Sequence, residues 1–330
     1  MKGKWLFTII LMVVLGLGYS AVWAAGGEVL ITPLGQKDGD FCRNDKAFLF
    51  EDPNGTKVLY DPGRTVLGET DPRLGEDFGD NDIMILSSVH VDHIGTELIT
   101  QDPGDVEASC GDIDFSAPKV FSNFSEIAAA TGAMVVVGGE MRDFIRKEIS
   151  DIPGTHFNNT SVLRHGGKKT IGNVTIAVVT AHHSNGVPRS LLNDGLKNML
   201  EADWLTAYVG PEYGYVLTFS NGLRVYISGD TGHTADMAAI VRDYYEAKVA
   251  VLCMGDTYTM GPEEAAFAVN KLIKPRTVIP THANEEATTE GAVNPGTRTD
   301  TFIGLIKPGI KVVVPLSNVP ISCNAKGVCN

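Results

Sequence analysis

The stretch "SSVHVDHIG", Ser87–Gly95, decides how this chain is read. It follows the apolar run "DIMIL" and sets His90, Asp92 and His93 within four residues. On an extended backbone, residues two apart point the same way, so His90 and Asp92 share a face. His93 follows as the chain bends toward a helix at Ile94. Two imidazoles and a carboxylate at this spacing suit zinc or a similar borderline cation. Alone, such a triplet fits a satisfied surface histidine as well as it fits a ligand set.

Later runs of the same kind separate the two readings. "VTIAVVTAHHSNG" delivers His182 and His183, "LRVYISGDTGH" delivers Asp230, and "RTVIPTHANE" delivers His282. Apolar strands gain nothing in packing by ending in imidazole or carboxylate, so the recurrence points to one metal or catalytic centre. His182 and His183 are adjacent on an extended run, so only one of them can face that centre. His156, His165 and His233 lack any such placement and are expected at the surface.

The residues before the first strand define a compartment. Lys2 and Lys4 precede an apolar run from Trp5 to Leu17, and small residues then lead to Val22-Trp23-Ala24. Residues 1–24 therefore have the layout of a cleavable secretory signal, with an uncleaved anchor as the alternative. The remaining residues 25–330 carry 25 basic against 40 acidic side chains, a net charge of −15. Such a surface repels nucleic acid and anionic lipid. Gly and Pro are spread evenly and no linker is visible, which suits one large domain or two tightly joined halves. Five cysteines in an exported chain imply disulfides. Cys323 with Cys329 and Cys42 with Cys110 are the expected pairs, and Cys253, inside "VAVLCMG", is expected as a buried thiol.

Strand patterns occur at "EVLITPL", "KAFLFED", "KVLYDPG", "DIMILSS" and "VTIAVVTA", with Asn54-Gly55 as a hairpin turn. A second hairpin joins "YGYVLTFS" to "LRVYISGD" through Asn221-Gly222. The rhythm then becomes helix and strand: a helix over 234–247, the strand "KVAVLCMG", a helix from Pro262 to Ile273, and the strand "RTVIPTH". Strand-rich sequence with helices in both halves predicts an α/β fold of two facing mixed sheets covered by helices.

The ordered set His90-x-Asp92-His93, His183, Asp230 and His282 resembles the metallo-β-lactamase fold superfamily, from "VLYDPG" to "VIPTH". "MGDTYTMGPEEAA" and "PTHANE" are similar to a branch of metal-dependent hydrolases related to ascorbate phosphate lactonase. "FCRNDKAFLFEDPNGTKVLYDPGRTV" resembles exported bacterial members of unassigned substrate. The resemblance implies an αββα sandwich. It implies His90, His183 and Asp230 around a first metal, Asp92, His93, Asp230 and His282 around a second, and Asp230 as the bridge. His183 is taken over His182 because the histidine before Ser-Asn-Gly matches the family's turn. The family pattern His-x-His-x-Asp-His meets Ser88 where its first histidine belongs. A serine hydroxyl is a poor zinc ligand, so the expectation is one tightly held ion at the second site and a weak or absent one at the first. Zinc is the expected cofactor, one or two ions, with manganese or iron as alternatives.

The expected activity is metal-dependent hydrolysis of an ester, lactone or phosphoester of a small organic substrate. A divalent ion lowers the pKa of its water toward roughly 7, and Asp92 or Asp230 orients that water and shuttles its proton. Tyr258 and Thr259 are expected near the developing oxyanion. Two stretches without strand periodicity, 100–118 and 184–213, are expected to shape specificity, and Trp204 and Tyr208 in the second are candidates for a substrate lid. The alternative is a metal-binding protein that lost catalysis along with its first histidine; a true β-lactamase ranks lower.

Overall fold

The computed structural model describes residues 27–68, 71–99, 110–115 and 119–330. The expected leader, 1–24, and much of the 100–118 loop lie outside these residues. The described strands form two seven-stranded sheets and two short ribbons. The first sheet runs, in spatial order, Ile321–Cys323, Val29–Pro33, Phe48–Glu51, Lys57–Tyr60, Ile83–Ile85, Met134–Val137 and Thr160–Val162. The second runs Lys311–Val312, Thr277–Thr281, Val249–Cys253, Arg224–Ile227, Tyr213–Thr218, Val174–Thr180 and Lys168–Ile171. Both are mixed, with antiparallel hairpins on one side and parallel strands on the other.

Alternation along the second sheet decides the layering. Val174, Ile176, Val178, Val225, Ile227, Val249 and Val251 join the core shared with the first sheet. Their neighbours Ala177, Val179, Tyr226, Ala250 and Leu252 point the other way into a second core. There they meet Met237 and Val241, then Ala265, Val269 and Ile273, and Phe302, from three helical segments. The first sheet is covered by Asn123–Thr131 and Gly139–Asp151 through Phe124, Ile127, Met141 and Ile145. The layers are therefore helix, sheet, sheet, helix. Each fully buried Val, Leu or Ile contributes roughly 1.5–3 kcal/mol, so these two cores hold the strand ends in place.

Each strand expected from the sequence is present. The helix opened by Pro262 runs through Phe267 and continues as a wider-turned segment to Ile273, where Lys274 N bonds Val269 O and takes φ 52°. The helix expected over 234–247 is shorter, Met237–Arg242. Among the described residues, helices Asn123–Thr131, Gly139–Asp151 and Arg298–Leu305 and nine short strands, five in the large sheets and four in the two ribbons, add to the expected set. Lys168–Ile171 shows why such strands escape notice: it is a mostly exposed edge strand, polar where the pattern should be apolar.

Cys42 pairs with Cys110 and Cys323 with Cys329. The first closes a span of 68 residues, a constraint on the unfolded chain that contributes roughly 4 kcal/mol on the loop-entropy model. Cys253 is buried, and burial pushes its thiol up to about 12. Thiol-reagent titration of the oxidised protein after unfolding should therefore find one reactive thiol per chain. Two or more would contradict the pairing.

Candidate metal centre

The site lies along one edge shared by both sheets. Lys57–Tyr60 and Ile83–Ile85 are parallel neighbours, and they run out into Asp61 and into the His90–His93 turn. In the second sheet Arg224–Ile227, Val249–Cys253 and Thr277–Thr281 are parallel, so Asp230 and His282 emerge on the same side. Val174–Thr180 has the same direction, two antiparallel steps away, and leads to His183.

The turn that carries His93 is clamped from below. Gly63 N bonds His93 O at 2.9 Å, and the chain passes so near that a Cβ on Gly95, at φ 79°, would lie 2.1 Å from Gly63 O. Asp61, itself at φ 41°, accepts from Ser87 N at 2.8 Å and Ser87 Oγ at 2.6 Å, and its Oδ2 lies 2.7 Å from His93 Nδ1. That contact fixes the ring, leaving Nε2 to face Asp230 Oδ2 at 3.1 Å. His282, at φ 51°, sets Nε2 3.1 Å from Asp92 Oδ2 and Nδ1 3.2 Å from Asp230 Oδ1. Non-glycine residues in the left-handed region cost energy and gather at functional sites.

Two donor clusters result. Asp92, His93, Asp230 and His282 bring one ligand atom each within 4.8 Å of one another, and so do His90, His183 and Glu212. The His90 and His183 rings are 5.3 Å apart, edge to face. Each cluster contains one buried atom that makes no hydrogen bond: His282 Nδ1, which lies 3.2 Å from Asp230 Oδ1 without being aligned for one, and Glu212 Oε2 beside His90 and His183. Buried polar atoms are normally satisfied, so one orphan per cluster fits a cation as the missing partner. A set of imidazoles and carboxylates suits zinc, iron or manganese.

The electrostatics agree with that donor set. Burial raises the Asp92 carboxyl, but the Lys46 ammonium, His93 and His282 outweigh it and hold Asp92 well below the usual range. Asp230 is likewise lowered against its burial by His282 and His93. Burial and Lys46 oppose a charge on His93, yet Asp230, Asp92 and Asp61 raise its pKa well above the ordinary value. His90 is pushed down to about 4, by burial first and by His93 next, so its ring is neutral at neutral pH, with Nε2 accepting from Gly186 N at 3.3 Å. Burial lowers His183 in the same direction.

Lys46, Asp61 and Glu212 are additions to the residues expected from sequence. Lys46 Nζ contacts Asp92 Oδ2 from a buried position just before Phe48–Glu51. Glu212 stands just before Tyr213–Thr218. Both strands run antiparallel to neighbours that end at the site, in Asp61 and in His183, so their starts lie at the edge where the neighbours end. A search of strand ends alone passes over them. Ser88 is fully buried; its Oγ accepts from His90 N at 3.1 Å and donates to Asn185 Oδ1 at 3.3 Å. His182 is exposed, as are His156, His165 and His233.

A cavity of about 760 Å³ opens over both clusters, lined by His90, Asp92, His183, Asp230, His282 and, on its rim, Tyr258. Thr259 points elsewhere: its Oγ1 accepts from Gly255 N at 3.1 Å. Trp204 is 92 % exposed and Tyr208 59 %, and neither lines the cavity. Their segment contains the helix Asp194–Ala202, whose apolar side chains are only partly covered, and returns to the cavity wall where Tyr208 bridges Gly186.

Comparison with known proteins agrees with this architecture. A family model described as the beta-lactamase superfamily domain matches residues 44–282. A UPF0173 metal-dependent hydrolase of Koribacter versatilis is 28 % identical over 233 residues, covering 70 % of this chain and 77 % of the relative. Among solved structures, the metallo hydrolase Igni18 of Ignicoccus hospitalis superposes with a TM-score of 0.54 at 22 % identity, covering 89 % of this chain and 98 % of its own. The metallo-beta-lactamase fold protein YhfI of Bacillus subtilis gives 0.53 at 14 % identity, covering 90 % and 99 %. These two show the fold. The chain belongs to the beta-lactamase superfamily, as a metal-dependent hydrolase of the metallo-β-lactamase fold.

Proposed function

We propose that this protein is an exported hydrolase that opens an ester, lactone or phosphoester bond of a small organic substrate. One observation carries the reading: the cavity of about 760 Å³ has donors of both clusters in its wall, so a bound molecule lies against them. That volume falls in the range of sites for small organic ligands. Export is supported by the leader-like residues 1–24 and by two disulfides. Among the described residues no helix is long and apolar enough to cross a membrane. The net charge disfavours nucleic acid as a partner.

The donors divide into roles by exposure. Asp230 is 4 % exposed, meets His93 and His282 at once, and donates its amide to Glu212 Oε1 of the other cluster, so it ties the clusters together. Asp92 keeps 22 % of its side chain open to the cavity. With Lys46 keeping it ionised, Asp92 is the carboxylate placed to take up a proton and pass it to a leaving group. A divalent ion, zinc or alternatively manganese or iron, would be held by the imidazoles and carboxylates and would supply an acidified water and a Lewis acid. Tyr258 stands on the cavity rim, where its hydroxyl can donate to a developing oxyanion.

Protein of defined metal content, screened against esters, lactones, phosphodiesters and β-lactams, should turn over one of the first three classes. Asp230→Ala should lower that turnover by at least ~100-fold, since even a supporting residue around a metal is worth about 10–100-fold. Inactivity on every class with metal bound would contradict the assignment, and so would turnover surviving in Asp230→Ala. Asp61→Ala, which frees the His93 ring, should weaken metal retention by about 10–100-fold in a chelator competition. Unchanged retention would mean that Asp61 does not position His93.

A further inference from the structure

Ser88 leaves a donor missing beside His90 and His183, and the structure points to its replacement. We infer that Glu212 is that donor, so that the chain holds two metal ions in adjoining sites. The inference rests on the metal-dependent reading above and adds to it a ligand outside the family's motif.

Position is the first support. Tyr213 N bonds Ser87 O at 3.1 Å, which draws residue 212 alongside the turn that begins at Ser88. Asn185, two residues past His183, ties the same parts together: its Oδ1 accepts from Val89 N at 2.8 Å and its Nδ2 donates to Pro211 O at 3.3 Å. The His90 turn, the His183 loop and the chain at Glu212 are thus one hydrogen-bonded unit. Ser88 itself serves as a clasp within that unit, with its hydroxyl spent on His90 N and Asn185.

Charge and satisfaction are the second support. Glu212 has no exposed surface, and among the described residues no lysine or arginine forms an ion pair with it. Its Oε1 accepts from Asp230 N at 2.9 Å, and its Oε2 has no partner. A buried carboxylate without countercharge is strongly unfavourable, and the neighbouring Asp230 makes it more so. The imidazoles of His90 and His183, each with a donor within 4.8 Å of a Glu212 oxygen, complete a ligand set for which a divalent ion supplies the missing charge. Asp92 and Asp230 have cationic neighbours of their own in Lys46 and His93.

The substitution also changes what the first site prefers. An imidazole replaced by a carboxylate leaves two imidazoles and one acidic oxygen before Asp230 is counted, close in composition to the second site. Carboxylate-rich sets accept manganese and iron more readily than an all-imidazole set does. The proposal departs from the sequence expectation of a single firmly held ion.

The test uses the full chain, loaded separately with Zn(II) and Mn(II), dialysed at low free metal and analysed for bound ion. The wild type should retain near two equivalents, and the Mn(II) form should show the spin-coupled EPR spectrum of an adjacent pair. Glu212→Gln keeps the side-chain shape and an acceptor for Asp230 N but loses the anionic oxygen. It should retain near one equivalent, with the second ion weakened by at least ~100-fold and the spectrum reduced to an isolated Mn(II). A merely structural glutamate would be rescued by glutamine. Two equivalents retained by Glu212→Gln would therefore overturn the proposal, as would a wild type that holds one ion unaffected by the substitution. A wild type that binds no metal would overturn the metal-dependent reading itself.

Discussion

The Asp230 carboxylate is the constraint around which the rest is arranged. It is buried where the two sheets meet, with one oxygen on His93 from the first sheet and the other on His282 from the second. Its own amide is held by Glu212. A carboxylate in that position is unfavourable unless cationic or hydrogen-bonding groups converge on it, and two packed apolar sheets are what hold them there. The strain at Asp61 and His282 is tolerated because the surrounding cores determine those backbones. Function in this chain therefore depends on the relative placement of the sheets as much as on any ligand.

Much of the fold was legible because its central strands are long enough to show a period. Val174–Thr180 alternates between two cores, and Val249–Cys253 is an unbroken apolar run with helices on either side in sequence. Both leave an unambiguous pattern. Strands such as Thr160–Val162 and Lys311–Val312, at three and two residues, are too short to show any. They are strands because a neighbour offers its edge, a tertiary fact that local sequence does not carry.

The candidate site was legible on one side only. His90, Asp92, His93, His183, Asp230 and His282 follow apolar strands, and the structure brings all six to one edge, in two clusters. Lys46 and Glu212 come before their strands, and only the antiparallel pairing puts them at that same edge. Asp61 was in view within "VLYDPG", yet its part in orienting His93 depends on a contact across 32 residues. Trp204 and Tyr208 are aromatics after a ligand, yet neither lines the cavity, although a backbone bridge to Gly186 in its wall sets Tyr208 nearby. Composition indicates which residues can do chemistry; pairing direction decides which of them meet.

The central claim, that Asp230 stands between two metal sites built from both sheets, is tested most directly by anomalous diffraction from metal-loaded crystals. The account predicts two peaks flanking Asp230, one among Asp92, His93 and His282 and the other among His90, His183 and Glu212. A single peak, or a second ion bound without Glu212, would contradict it.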